Sequence, residues 1–356
     1  MRRFSFASGS SALPPLVRAA LSRDVENWRG SGFSALELPF TGQAFAEILG
    51  AVEDNLRALL DLPHSYRILF LQGGASAQFA LMPMNLLGRA SHCDYVQSGY
   101  WSRRAIEEAA ACCDVRVIAT GSDTHLPPPG AWRQSADAAY CHFTSNETAN
   151  GLQFHAFPEF SDAPLVSDMT ADFLTRPIPI ERFGLIYASA QKNLGSAGLT
   201  IVIVRDDLLG RARPGTPAPF DYTRQAAARS KVNTPPTFAI LIACRMLRWL
   251  LENGGLEAAA ERNRRKSGKL YAAIDRSGFY FCPVSPRDRS LINICFRLPE
   301  ARLEALFLEE AEANGLFHLR GHAMVGGLRA SLYNPTPEAA VDALVNFMVR
   351  FEQRRG

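Results

Sequence analysis

The sequence holds little that a metal, a membrane or a nucleic acid would need. Its seven histidines form no His/Cys cluster, which argues against a zinc site. Its seven cysteines, at positions 93, 112, 113, 141, 244, 282 and 295, are odd in number and show no Cys-x-x-Cys spacing. Most fall in apolar stretches, so reduced, buried thiols in a cytoplasmic protein are expected. The most apolar later segment, residues 237–251, is too short to span a bilayer and is broken by Arg245 and Arg248. After Met1-Arg2-Arg3 comes Phe4-Ser5-Phe6-Ala7-Ser8-Gly9-Ser10 rather than a long apolar core, so the start does not read as a signal peptide. A net charge of +3 is too small to argue for nucleic acid or a membrane surface. Internal repeats and low-complexity tracts are also lacking.

What remains is an ordinary globular composition: 356 residues, 47% hydrophobic and 21% charged, enough for a large domain and a smaller one. Helical spacing marks residues 15–29 and the run after Thr41, a plausible N-cap, where Phe45, Ile48, Leu49, Val52, Leu56 and Leu59 recur. From about residue 67 to 204 short apolar strands alternate with helices. That pattern predicts a mostly parallel sheet with helices on both faces and a ligand at the carboxyl ends of its strands. A Pro/Arg-rich loop follows, then helices at 237–252 and 256–276. From about residue 279 strand and helix patterns restart, consistent with a smaller α+β unit. The expected division is a large domain of residues 16–255 and a small one of residues 1–15 plus 256–356.

Residues 185–195 organise the rest. A strand, Leu185-Ile186-Tyr187-Ala188, runs into Ser189-Ala190-Gln191-Lys192-Asn193, and a second strand begins at Leu199. Lys192 thus stands in a loop between buried strands. Desolvation there lowers the pKa of an ammonium, which is what an imine-forming amine requires. A strand at residues 164–169 ends on Asp168. An amine and a carboxylate at neighbouring strand ends match the needs of a pyridoxal phosphate enzyme, in which an acid against the pyridine nitrogen keeps the ring an electron sink. Strand 67–72 leads into Gly73-Gly74-Ala75-Ser76 and a helix. This turn is neither a dinucleotide-binding nor a Walker signature, and it reads either as an anion cradle or as a plain connection. Trp101 opens a helix after another strand and reads either as a ring-stacking partner or as a core filler. The polar loop at residues 144–151 presents hydroxyls and amides to the same edge.

Several longer stretches resemble the phosphoserine aminotransferase family, class V of the fold-type I pyridoxal phosphate enzymes. They are residues 73–79 (Gly73-Gly74-Ala75-Ser76-Ala77-Gln78-Phe79), 100–102, 144–148, 183–195, 233–238 and 326–334. The resemblance implies a mostly parallel, seven-stranded-type sheet, pyridoxal 5'-phosphate as cofactor, and amino acid and 2-oxo acid substrates. It also implies a homodimer with shared active sites. By the same resemblance Lys192 is the lysine bonded to the cofactor, Asp168 pairs with the pyridine nitrogen, Trp101 stacks on the ring and Thr148 bonds the phenolic oxygen. Ala75, Ser76 and Gln191 hold the cofactor phosphate, with Asn233 and Thr234 reaching it from the partner subunit. Arg329 grips the substrate α-carboxylate, and Ser8, Thr41 and His322 lie at the substrate site.

Two positions depart from the family pattern. Phe40-Thr41 stands where the family has a His-Arg pair, and His322-Ala323 stands where it has another. A charge-assisted hydrogen bond contributes roughly 1.5–3 kcal/mol, so two missing arginines remove about 3–6 kcal/mol of binding to an anionic side chain. Arg320 and the Arg287/Arg289 pair read either as partial substitutes or as surface charges. The reading this favours is a diverged aminotransferase acting on a non-phosphorylated amino acid in a specialised biosynthetic pathway. The alternatives are phosphoserine:2-oxoglutarate transamination in serine synthesis, and other pyridoxal phosphate chemistry such as β-elimination, β-replacement or decarboxylation.

Overall fold

A computed structural model of the chain describes residues 3–158 and 163–356. In chain order the elements are β1 (Phe4–Ser5), α1 (Pro15–Glu26), α2 (Gln43–Leu60), β2 (Tyr66–Leu71), α3 (Gly74–Leu86), β3 (His92–Gln97), α4 (Tyr100–Ala110), β4 (Asp114–Thr120) and β5 (Cys141–Thr144). Then come β6 (Asn146–Glu147), β7 (Leu152–Gln153), β8 (Leu165–Asp168), β9 (Phe183–Ser189), β10 (Thr200–Arg205), α5 (Tyr222–Ala227), α6 (Thr237–Glu252) and α7 (Gly255–Arg276). The last are β11 (Asn293–Phe296), α8 (Ala301–Ala313), β12 (Leu316–Phe317), β13 (Leu328–Ser331) and α9 (Glu338–Arg355).

Seven strands form the central sheet in the order β2-β10-β9-β8-β5-β3-β4. Five of them pair in parallel, and only β10 runs against its neighbours. The expected mostly parallel sheet is therefore present. Alternation along the strands splits the side chains between two layers. Ile186, Ala188, Ile201 and Ile203 pack with α1, α2 and α6 on one face. Leu185, Tyr187, Val202 and Val204 pack with α3 and α4 on the other. Strands buried on both faces read as the continuous apolar runs seen at β9 and β10.

A third apolar cluster gathers Phe6, Ile294, Phe296, Leu328 and Ala330 with Phe307 of α8 and Phe347 and Phe351 of α9. The long helix α7 joins the two bodies of core. Leu256 and Ala259 near its start belong to the large cluster, and Leu270, Tyr271 and Ile274 near its end belong to the small one. The amino-terminal strand β1 pairs in parallel with β12, so the chain's start is tied into the later unit.

Some local expectations give way to tertiary structure. Gly42, not Thr41, caps α2, and no side chain bonds its end. The first helix stops at Glu26, before a short turn in which Arg29 takes a left-handed φ of 49°. The polar loop after β5 is a small hairpin, β6 against β7. The cysteines are all free, but only Cys93, Cys141 and Cys295 are buried; the other four are half-buried. Among the described residues no helix is long and apolar enough to cross a membrane, and no group of His, Cys, Asp and Glu is placed to hold a metal.

Candidate active site

The parallel strands deliver their last residues to one edge of the sheet. Register places Thr144 beside Asp168 and Asp168 beside Tyr187, so β5, β8 and β9 end together. β9 runs directly into the turn that carries Gln191 and Lys192. A cavity of about 140 Å3 opens at this edge. Ala75, Ser76, Trp101, Thr148, Asp168, Gln191 and Lys192, singled out from the sequence, all line it together with Gly74, Thr144 and Thr170.

Lys192 is almost wholly enclosed, and its Nζ donates to Thr148 Oγ1 at 2.5 Å. Burial pushes its pKa down to about 8, against the pull of the Asp168 carboxylate, which favours the charged form. The Arg329 guanidinium works in the same direction as burial. Asp168 is buried too, and desolvation raises its pKa while the backbone N–H of Thr170, donating at 2.8 Å, stabilises the carboxylate. Amine and acid therefore share a dry site without a direct bond between them, free to meet other partners.

The anion cradle is a matter of backbone geometry. Gly73 has φ of 102°, and a Cβ there would lie 2.6 Å from Ala77 Cβ. Only glycine enters α3 by this route, and the helix start then faces the cavity with its unpaired N–H groups. Ser189 Oγ donates to Gln191 Oε1 at 2.5 Å, which steers Gln191 along the same wall.

Two buried polar atoms at the cavity lack protein partners: Thr144 Oγ1 and Trp101 Nε1. An amine, an acid, an aromatic ring, a hydroxyl and an anion cradle around one small cavity fit pyridoxal 5'-phosphate. The site is suited to it by donor chemistry.

Arg329 sits beside this cavity rather than in its wall. Its guanidinium donates to the Thr148 carbonyl at 3.0 Å and to Ser8 Oγ at 2.7 Å, so the amino-terminal arm packs onto the site. His322 lies 4.4 Å, ring to ring, from Tyr100 and 6.1 Å from Trp101. The structure does not bring three other predicted residues to the cavity. Asn233 and Thr234 are exposed, and Thr234 is tied to its own chain by Gln72, which donates to its carbonyl at 2.8 Å. Thr41 is exposed at the start of α2, while Phe40 packs against the large core. Of the proposed substitute cations, Arg289 is engaged bidentately by Asp275 at 2.6 and 2.8 Å, and Arg287 and Arg320 are exposed.

Two buried charged residues that hold the site were missed by the sequence reading. Glu147, in the hairpin just before Thr148, accepts from the backbone N–H groups of Trp101 at 2.7 Å and Ser102 at 2.9 Å. It thereby caps α4 from outside, and one dipeptide fixes both the hydroxyl and the aromatic ring. Gly99 makes room for it, since a Cβ there would lie 2.7 Å from the Glu147 carboxyl carbon. Lys266, on α7, donates to the carbonyls of Leu332, Tyr333 and Thr336 at 2.9, 2.7 and 3.2 Å. Its neighbour Asn263 holds Asn334, whose backbone N–H reaches Asn193 next to Lys192. The polar loop hinted at Glu147; Lys266 read as part of a solvated face, because its partners lie 66 to 70 residues away.

Comparison with known proteins finds matches along the length of the chain. The family model described as Aminotransferase class-V matches residues 3–344. The phosphoserine aminotransferase of Laribacter hongkongensis is 49% identical, covering 100% of both chains. A solved phosphoserine aminotransferase from Bacillus circulans subsp. alkalophilus superposes with a TM-score of 0.98 at 41% identity, over 100% of this chain and 99% of that one. A phosphoserine aminotransferase from Trichomonas vaginalis, solved with pyridoxal phosphate bound, gives a TM-score of 0.94 at 37% identity, over 98% of this chain and 100% of that one.

Two outcomes are expected from the site. In cofactor-free protein the Lys192 amine loses its proton near pH 8. The rate of capturing added pyridoxal 5'-phosphate should therefore climb through that pH and level above it. A rate still climbing at pH 10, as for an ordinary lysine, would contradict the burial argument. Lys266→Met leaves buried carbonyls without a donor and should cost on the order of 2–4 kcal/mol of stability. Because the loop it anchors follows Arg329, KM for the amino acid should rise while kcat changes little. Unaltered KM and thermal midpoint would remove Lys266 from the positioning role.

Proposed function

The chain belongs to the class-V aminotransferases, in the phosphoserine aminotransferase family of pyridoxal phosphate-dependent transaminases, and from that premise we propose that it transaminates O-phosphoserine with 2-oxoglutarate. The observation that carries this reading is similarity to phosphoserine aminotransferases along the entire chain, at 49% identity, with the cofactor cavity complete. It reverses the order of the readings taken from the sequence, in which a non-phosphorylated substrate stood first.

The bound cofactor supplies an electron sink for the bond broken at the substrate α-carbon. Lys192 would hold the cofactor and would take and return a proton at Nζ; a pKa near 8 suits both tasks close to neutral pH. Asp168 would pair with the pyridine nitrogen, Thr148 with the phenolic oxygen, and Trp101 would stack on the ring. The α3 start, with Ala75, Ser76 and Gln191, takes the phosphate. Arg329 offers a planar fork to the α-carboxylate. The work is divided between a cofactor-holding unit, residues 16–255, and a second unit, residues 1–15 plus 256–356, that brings Arg329 and Ser8. Asn233 and Thr234 are exposed and outside their own cavity, which supports a homodimer in which they complete the partner's phosphate site. Thr41 serves the substrate site in the same dimeric setting, and the enzyme works in the cytoplasm.

A second reading has its own observation. Thr41 and Ala323 offer no cation, and Arg289 is held by Asp275, which favours a substrate without a phosphate. Steady-state kinetics on purified enzyme separates the two. The first predicts that kcat/KM for O-phosphoserine exceeds that for serine, aspartate or alanine by at least about a hundredfold, the worth of one or two charge-assisted contacts. Equal or inverted values would overturn it in favour of the second.

A further inference from the structure

Cys93 of β3 and Cys113, immediately before β4, face each other with their Sγ atoms 3.2 Å apart, within reach of an S–H···S hydrogen bond. The cofactor cavity makes no use of either residue. Cys93 lies near the start of β3, whereas Trp101 follows the far end of that strand. The two sulfurs differ in setting. Cys93 is fully buried beside the Tyr140 hydroxyl, and Cys113 is half-buried at the end of α4. A small solute therefore meets Cys113 first. The hydrogen bond from Cys93 and the nearby Arg213 guanidinium hold the Cys113 thiol below its ordinary range, while the same bond and burial push Cys93 up. An accessible sulfur of thiolate character with a protonated partner behind it is the arrangement in which oxidation proceeds to a bridge.

We propose that Cys93 and Cys113 form a reversible oxidation site that closes to an intrachain disulfide when a hydroperoxide reaches Cys113. The Cys113 thiolate attacks the terminal peroxide oxygen, the O–O bond breaks, and the leaving oxygen takes a proton to depart as an alcohol or as water. Cys113 has then lost two electrons and is a sulfenic acid. The Cys93 sulfur attacks the Cys113 sulfur, its proton passes to the departing hydroxyl, and water leaves as the S–S bond forms. A dithiol reductant returns the two electrons.

The bridge encloses α4 together with the turn that carries Gly99 and Trp101. β3 and β4 already pair in parallel, with Cys93 opposite Val115. Closing the loop therefore reinforces an existing neighbourhood and leaves the cavity wall alone. The expected consequence is a more rigid frame for Trp101 with transamination retained, so the site protects or stabilises the enzyme rather than turning it off.

The test uses the reduced holoenzyme treated with hydrogen peroxide, then alkylated in denaturant and digested. Two of the seven thiols should become unreactive, with Cys93 joined to Cys113, and both should return after dithiothreitol. The thermal midpoint should rise while activity holds. Cys112 shares a tryptic peptide with Cys113, so Cys112→Ser, which should still close the bridge, and Cys113→Ser, which should not, assign the partner. The proposal is overturned if all seven thiols stay alkylatable, if Cys113 advances to a sulfinate with Cys93 free, if the bridge runs to Cys112, or if it forms only in unfolded protein.

Discussion

The site depends on taking one amine out of water. Enclosed at the end of β9, Lys192 keeps a single hydroxyl contact, to Thr148, and feels Asp168 and Arg329 at a distance. Burial favours the neutral amine by a margin that the acid only partly offsets, and the pKa settles at about 8. A lysine bonded directly to Asp168 would stay an ammonium, and one left in solvent would stay near its ordinary value of about 10.4. The sheet achieves the intermediate condition by ending β5, β8 and β9 together, so that acid, hydroxyl and amine surround one small cavity without pairing off.

Around that centre the remaining parts are held by buried polar groups rather than by apolar packing alone. Glu147 caps α4 and so sets Trp101. Lys266 and Asn263, on a helix that spans both cores, hold the loop after β13, and Asn334 carries that restraint to Asn193. The amino-terminal arm closes the ring of contacts, since Ser8 accepts from Arg329 and Ser11 donates its N–H to the Gln191 carbonyl. Each such group is costly to bury unless satisfied. Together they make the relative placement of Arg329 and Lys192 specific.

Much of this was legible in the sequence, for identifiable reasons. β9 and β10 announce themselves as unbroken β-branched and apolar runs because they are buried on both faces. Lys192 and Asp168 stand out because each follows such a run. The Gly73-Gly74 entry into α3 was visible as a turn, and its place at the cavity emerged only once Ser76 and Gln191 were seen on the same wall. Glu147 and Lys266 were not legible as positioning groups. Their partners lie 45 or more residues away, and a charged residue in a charged helix looks solvated until the fold brings carbonyls to it. Thr41, Asn233 and Thr234 illustrate the opposite limit. Family resemblance pointed to them, yet a single chain leaves them exposed, and the roles proposed for them need an assembly of two.

Lys192, Lys231, Lys266 and Lys269 are all the lysines of the chain, and both Lys192 and Lys266 are buried with lowered pKa. The most direct test of the account is therefore to find which of them carries the cofactor. Purified protein loaded with pyridoxal 5'-phosphate, reduced with borohydride and digested, should yield the pyridoxyl group on the peptide containing Lys192 and on no other. Label on Lys266, or no stable label at all, would contradict the assignment on which the site is built.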